Sequence, residues 1–256
     1  MKLLGKLPHH LHEQPYLYRI ELLDRFFKLL DNKELVFVRP ACWTDPLENI
    51  IFNAKLIKEG KAFEHPAKNK IYGQCWSYEG DSYALWQIYT TKPDDSGVTK
   101  RHPGIRITTH IDRLVQLSAL NNGQFYYGLV DYLRKKELDQ LKEDGRFIRG
   151  LTSLRLNEDH LKTLLVKRYS YHYENEVRLL AVPGQSNIDK TKDVLCRLKI
   201  EPVEFISSLR LDPSLTTAEF KKIKQRLIDE YGFAPTRITQ SSLSRENNFV
   251  FNLDKP

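Results

Sequence analysis

Tyr169-Ser-Tyr-His-Tyr-Glu-Asn-Glu-Val-Arg-Leu-Leu-Ala-Val182 ends in an apolar run, the pattern of a strand entering a core. Side chains alternate across a strand, so Glu174, Glu176 and Arg178 share one side and Val177, Leu179 and Ala181 the other. Two carboxylates and a guanidinium at the mouth of a buried strand can form a site. The same residues also read as an exposed strand face, or as a helical Glu174–Arg178 pair at i,i+4. Tyr169, Tyr171 and Tyr173 fall on the side of Val177, either as core or as surfaces that stack bases.

Working outward, Asn157 can cap a helix carrying Leu161, Leu164 and Leu165 that leads into this stretch. Further upstream, Ile71–Ser77 reads as a strand broken by Gly80, with the Ser77 hydroxyl at its end free for a ligand or a local turn bond. A helix follows with Tyr83, Trp86 and Tyr89 at three-residue spacing, a stripe expected in the core. Tyr16–Ile20 and Glu34–Val38 are strand candidates flanking a helix whose apolar stripe includes Phe26, Phe27 and Leu30 and which Asn32 can end. Asp45, Pro46 and Glu48 read as an N-cap, a first-turn proline and the carboxylate of a capping box, which accounts for all three without chemistry. His9, His10 and His12 lie in a polar lead, with metal binding or a solvated tail as the alternatives. Leu133–Glu143 reads as an exposed helix and Gly104–Thr108, Phe125–Val130 and Cys196–Ile200 as strands. Downstream, Asn187–Val194 is a polar loop, Thr216 and Glu219 make a capping box, and Gly232 closes that helix. Ile238–Leu243 and Phe249–Leu253 are expected as closing strands.

The 256 residues, 41% apolar and 29% charged, suit a folded domain with a sizeable core. No apolar run approaches the roughly 20 residues of a membrane span, and the opening Met-Lys-Leu-Leu-Gly-Lys-Leu-Pro has too short an apolar centre for a secretory signal, so a cytoplasmic protein is expected. A net charge of +7 permits an anionic substrate or polyanion without requiring one. Cys42, Cys75 and Cys196 have neither zinc-site spacing nor a disulfide pattern. No fixed-period repeat is present. The expectation is an α+β fold: an N-terminal lead over residues 1–15, then a single mixed-sheet domain over 16–256.

Four pieces in order, Tyr-Leu-Tyr-Arg (16–19), Trp-Thr-Asp-Pro-Leu-Glu (43–48), Cys-Trp-Ser with Leu-Trp-Gln-Ile-Tyr (75–77, 85–89) and Tyr-Glu-Asn-Glu-Val-Arg (173–178), resemble a prokaryotic family of unknown function. That family carries Asn-Asp-Pro and Glu-x-Glu-x-Arg motifs and is often discussed near defence genes; here Thr44 stands in place of its asparagine. More loosely, an early Arg19, a mid-chain Ser77 and a later Glu-x-Glu resemble the arginine–serine–glutamate order of ADP-ribosyltransferases, whose middle motif Cys75-Trp76-Ser77 does not match. The resemblance implies an ADP-ribosyltransferase-like core that takes NAD as substrate and needs no metal, with Glu176 as catalytic carboxylate and Glu174 activating an acceptor. It also implies NAD contacts from Arg19, Ser77, Trp86 and Arg178, and a role as a toxin or anti-phage defence effector acting on a nucleic-acid or protein acceptor. Two other readings stay open: a metal-dependent nuclease using Asp45, Glu48, Glu174 and Glu176, and a non-enzymatic binding module for nucleic acid or protein.

Overall fold

The computed structural model describes residues 1–244 except 8, 66, 95, 144, 146, 148, 150–152, 154 and 185–193. The expected strand Phe249–Leu253 and residues 187–193 of the expected loop lie outside the described residues. In chain order the strands are β1 (Lys2–Leu3), β2 (Tyr16–Leu22), β3 (Glu34–Val38), β4 (Leu56–Lys58), β5 (Lys61–Phe63), β6 (Tyr72–Ser77), β7 (Thr91–Pro93) and β8 (Thr99–Arg101). They continue with β9 (Gly104–His110), β10 (Gly123–Leu129), β11 (Asp131–Leu133), β12 (Val166–Arg168), β13 (Glu176–Pro183), β14 (Leu195–Lys199), β15 (Ser208–Leu211) and β16 (Ile238–Gln240).

Ten of these strands form one mixed sheet in the order β1-β10-β13-β6-β2-β9-β15-β16, with β3 joining β6 to β14. The rest make three two-stranded ribbons, β4–β5, β7–β8 and β11–β12. β13 sits between β10 and β6, antiparallel to both. Its near-continuous apolar run is that of a strand buried on both faces. Val177, Leu179 and Ala181 enter the larger core with Phe26, Phe37, Tyr72 and Trp76. Leu180 enters a second core on the opposite face, with Phe52, Leu161, Leu164, Leu165 and Val166.

The strand is shorter than the sequence suggests. Tyr169–Glu174 form a 3-10 turn, and Asn175 adopts a left-handed conformation at φ 46° before β13 begins. Asparagine tolerates that region, and the turn is pinned where Tyr78 N–H donates to the Asn175 carbonyl and Tyr78 OH to Asn175 Oδ1. Alternation therefore holds from Glu176 onward, whereas Glu174 and the three tyrosines belong to the turn; Tyr169 and Tyr173 are exposed rather than aligned with Val177.

Residues 1–15 contribute β1 at the sheet edge, Leu4 to the smaller core and Leu11 to the larger. The histidines expected in a frameless lead fall in a short helix, His9–Glu13. The helix Leu23–Asn32 buries Phe26 and Leu30, and the late helix Thr217–Asp229 has both halves of the Thr216–Glu219 capping box. The expected exposed helix Leu133–Glu143 is two short pieces, Lys135–Asp139 and a 3-10 turn at Leu141–Glu143.

The sheet splits along one edge of β6. In the backbone ladder β2 pairs with it only at Tyr18–Ser77 and β3 only at Val38–Gly73, so the two neighbours diverge from β6 along its length. At Gly73 the Trp43 ring fills the place of a side chain, lying 2.5 Å from an idealised Cβ. The same ring covers Arg178, whose guanidinium is 4.4 Å from its centroid. Gly73→Ala should therefore displace Trp43 and destabilise the fold by about 1–3 kcal/mol, measured as a lower denaturation midpoint; an unchanged midpoint would show the ring free to move.

Candidate active site

Where β2 leaves β6, a narrow cleft opens, lined by Tyr18, Arg19, Cys75, Ser77, Tyr89, Arg106 and Glu174 among others. The water-sized space inside it is about 20 Å³, room for little more than one water. Arg19 spans the gap: its guanidinium donates to the Cys75 carbonyl at 2.6 Å and to Glu21 at 2.9 Å. Arg106 stacks 4.8 Å over the Tyr18 ring, donates to the Gly80 carbonyl, and leaves its buried Nε without a partner. Its burial, with repulsion from Arg210, lowers its pKa to about 10.

The hydroxyl of Ser77 donates to the Glu174 carbonyl at 2.7 Å and accepts from Glu79 N–H, which is the local turn bond left open by the sequence. Ser77 thus fixes the turn that carries Glu174. The Glu174 carboxylate, 8% exposed, receives Lys167 Nζ at 2.9 Å, and Tyr89 OH at 3.4 Å. Glu176 lies behind it, 2% exposed and not part of the cleft lining. Two bonds from Arg178, at 2.8 and 3.1 Å, and one from Lys167 at 3.2 Å hold it. Of the other residues expected around a ligand, Trp86 is fully buried and donates to Asp81, and Arg178 is fully buried. Neither lines the cleft, whereas Tyr89, expected in the core, does.

The two glutamates titrate in opposite directions. Burial raises the Glu174 carboxyl, only partly opposed by Lys167. Burial would raise Glu176 as well, but Arg178 and Lys167 outweigh it and hold Glu176 at about 2. Two neighbouring carboxylates are thus pushed apart by their environments.

Glu48 is not the capping-box partner its spacing suggests. Asp45 does cap the turn Pro46–Asn49, accepting Leu47 N–H, but Glu48 reaches Arg178 at 2.7 Å and Lys167 at 3.0 Å. The nuclease reading expected Asp45, Glu48, Glu174 and Glu176 to converge on a cation. The three glutamates do converge, around Lys167 and Arg178, while Asp45 pairs with Arg168. Among the described residues no group of three or more His, Cys, Asp and Glu side chains has the arrangement of a metal site. No helix among them is long and apolar enough to cross a membrane.

Lys167 escaped the sequence reading. Its one signal is a lysine directly after the apolar run Leu164–Val166, a place where a buried ammonium needs carboxylate partners.

No family model and no curated protein matches the chain. Among solved structures it is similar to Thermus sp. 2.9 DarT in complex with ADP-ribosylated ssDNA, at 11% identity and a TM-score of 0.40, over 94% of this chain and 98% of that one. The same protein in complex with NAD+ matches at 12% and 0.39 over 92% and 98%, and with carba-NAD+ at 10% and 0.38 over 89% and 95%.

The opposite shifts predict opposite stability effects. The depressed Glu176 contributes stability that is fully present above its ordinary value of 4.5 and is lost as pH falls through about 2. Glu176→Gln should cost about 3–5 kcal/mol at pH 7, since it breaks a buried ion pair, with the deficit shrinking toward pH 2. The raised Glu174 contributes stability at low pH that is lost as pH rises through its folded value. Glu174→Gln should therefore be as stable as wild type or more so at pH 8. Denaturant unfolding of both variants across pH checks this; a Glu174→Gln protein as damaged as Glu176→Gln would contradict it.

Proposed function

We propose that this protein is an NAD-cleaving enzyme of the ADP-ribosyltransferase kind, with the cleft between β2 and β6 as its NAD site. The observation that carries the proposal is the meeting of Arg19, Ser77 and Glu174, distant in sequence, at the point where two strands part. Arg19 and Arg106 supply two guanidinium groups suited to a diphosphate, and the unpartnered Nε of Arg106 supports an anion there. A dinucleotide needs more room than the cleft offers, so binding entails Arg19 exchanging the Cys75 carbonyl for the ligand and the strands opening beyond their single pair.

Breaking the nicotinamide–ribose bond develops positive charge on the sugar, as in glycoside cleavage. A carboxylate fixed beside that sugar in a water-poor cleft stabilises the charge as it appears. In this reading Glu174 meets the ribose and, with its raised pKa, takes the proton of the acceptor. Glu176 is the permanent negative charge behind it, and Ser77 acts through the Glu174 turn. Trp86 and Arg178, implicated in NAD contact by resemblance, support the site from within the core. A polynucleotide acceptor suits the exposed stack on the turn that carries Glu174, where His172 lies parallel to Tyr169 at 4.4 Å and Arg134 covers Tyr169 at 4.5 Å.

The test is nicotinamide release from NAD, with NAD binding followed separately. Glu174→Gln is expected to lose about 100-fold or more in rate with binding little changed, because the lost interaction belongs to the transition state. Arg19→Ala should lose binding. Activity should survive EDTA; loss in EDTA with rescue by magnesium would favour the nuclease reading. A folded wild-type protein that neither binds nor consumes NAD, with or without candidate acceptors, would end the proposal.

A further inference from the structure

At the cleft wall and behind it, five buried charged side chains from separate parts of the chain meet: Glu48, Lys167, Glu174, Glu176 and Arg178. Three carboxylates face two cations. Arg178 bonds Glu176 through two nitrogens and Glu48 through one, and its remaining nitrogen donates to the Leu164 carbonyl. Those bonds commit Arg178 to Glu48 and Glu176. Lys167 is shared three ways, with Nζ 3.0 Å from Glu48, 2.9 Å from Glu174 and 3.2 Å from Glu176. Its ammonium also lies 4.7 Å from the Tyr171 ring centroid. Of the two cations only Lys167 bonds Glu174, and it does so while serving two other carboxylates.

We infer that Lys167 and Glu48 are positioning residues: by dividing one ammonium among three carboxylates they leave the cluster's surplus negative charge, and the proton that neutralises it, on Glu174. This rests on the reading above only for the use made of that proton. Glu48 claims part of the Lys167 ammonium and adds a negative charge of its own to the cluster, so Glu174 is the group that takes up a proton at a pH where Glu176 stays ionised. The burial-raised Glu174 and the depressed Glu176 agree with this division. Two guanidinium groups share the cleft with Glu174 but are bonded elsewhere, Arg19 of β2 to the Cys75 carbonyl and Glu21, and Arg106 of β9 to the Gly80 carbonyl; the remaining groups around it add no cation. Tyr89 faces it from the helix Tyr83–Thr90, Tyr132 from β11 and Tyr173 from its own turn, each with its hydroxyl pKa raised, and Cys75 on β6 has its thiol raised by burial.

The experiment is a carboxyl NMR titration of protein labelled with 13C at the glutamate side-chain carboxyl, with Glu174 assigned by the signal missing in Glu174→Gln. In wild type Glu174 should titrate above the ordinary glutamate range. Glu48→Gln frees Lys167 for Glu174 and should lower that value by about one unit or more, the scale of one close opposite charge. Lys167→Met should raise it, and Lys167→Arg, which keeps the charge, should move it much less than either. Should Lys167→Met fail to fold, Glu48→Gln still decides the sign. A Glu174 value unmoved by Glu48→Gln in a folded protein overturns the inference. The acidic limb of nicotinamide release should shift in the same direction as the NMR value, which a merely structural role of Glu48 would not produce. NMR shifts as expected in a protein without NAD cleavage would uphold the charge division and remove the NAD reading; cleavage with an unmoved Glu174 would do the reverse.

Discussion

The Arg178 guanidinium is the constraint on which the rest of the structure depends. It is fully buried on β13, over the Trp43 ring, with bonds to Glu176, Glu48 and the Leu164 carbonyl. A buried charge is tolerable only when paired and hydrogen-bonded, so this one residue dictates where three other segments must lie. It draws in the turn Pro46–Asn49 through Glu48 and the end of the helix Glu158–Thr163 through Leu164. With them comes β12, whose Lys167 shares the same carboxylates. The cleft wall at Glu174 stands on that assembly.

The cluster also separates stability from chemistry. Glu176 is a charge the fold uses, since its ionised form is favoured by the native state. Glu174 is a charge that the fold resists, since burial favours its neutral form. A group kept at a cost to stability, on the wall of a cleft that also holds an arginine with a spare donor, is where function is to be sought. The split in the sheet serves the same end. The ladder between β2 and β6 is a single residue pair, and Arg19 bridges the gap beyond it to the Cys75 carbonyl.

Much of this was legible in the sequence, for local reasons. The alternation of Glu176, Arg178 and Leu180 against Val177, Leu179 and Ala181 is a property of the strand itself and survives in the fold. So do the Asp45 cap, the Thr216–Glu219 box and the Asn157 cap, each needing only neighbours. What was not legible is long-range. Glu48 satisfies the spacing of a capping box, yet a buried guanidinium 130 residues away claims its carboxylate. Glu174 continues the strand's alternation on paper, but the left-handed Asn175, fixed by Tyr78, turns it out of the strand and into the cleft. Lys167 belongs to no motif, and its part in the site follows only from the topology that lays β12 beside the carboxylates.

The central claim is that the gap between β2 and β6 is a dinucleotide site with Glu174 at the ribose. A crystal structure with a non-cleavable NAD analogue tests it most directly. The account predicts the diphosphate between Arg19 and Arg106, the Arg19–Cys75 bond broken, and the Glu174 carboxylate within hydrogen-bonding distance of the nicotinamide ribose. An analogue bound on another surface, or one seated in the cleft with Glu174 turned away from the sugar, would contradict it.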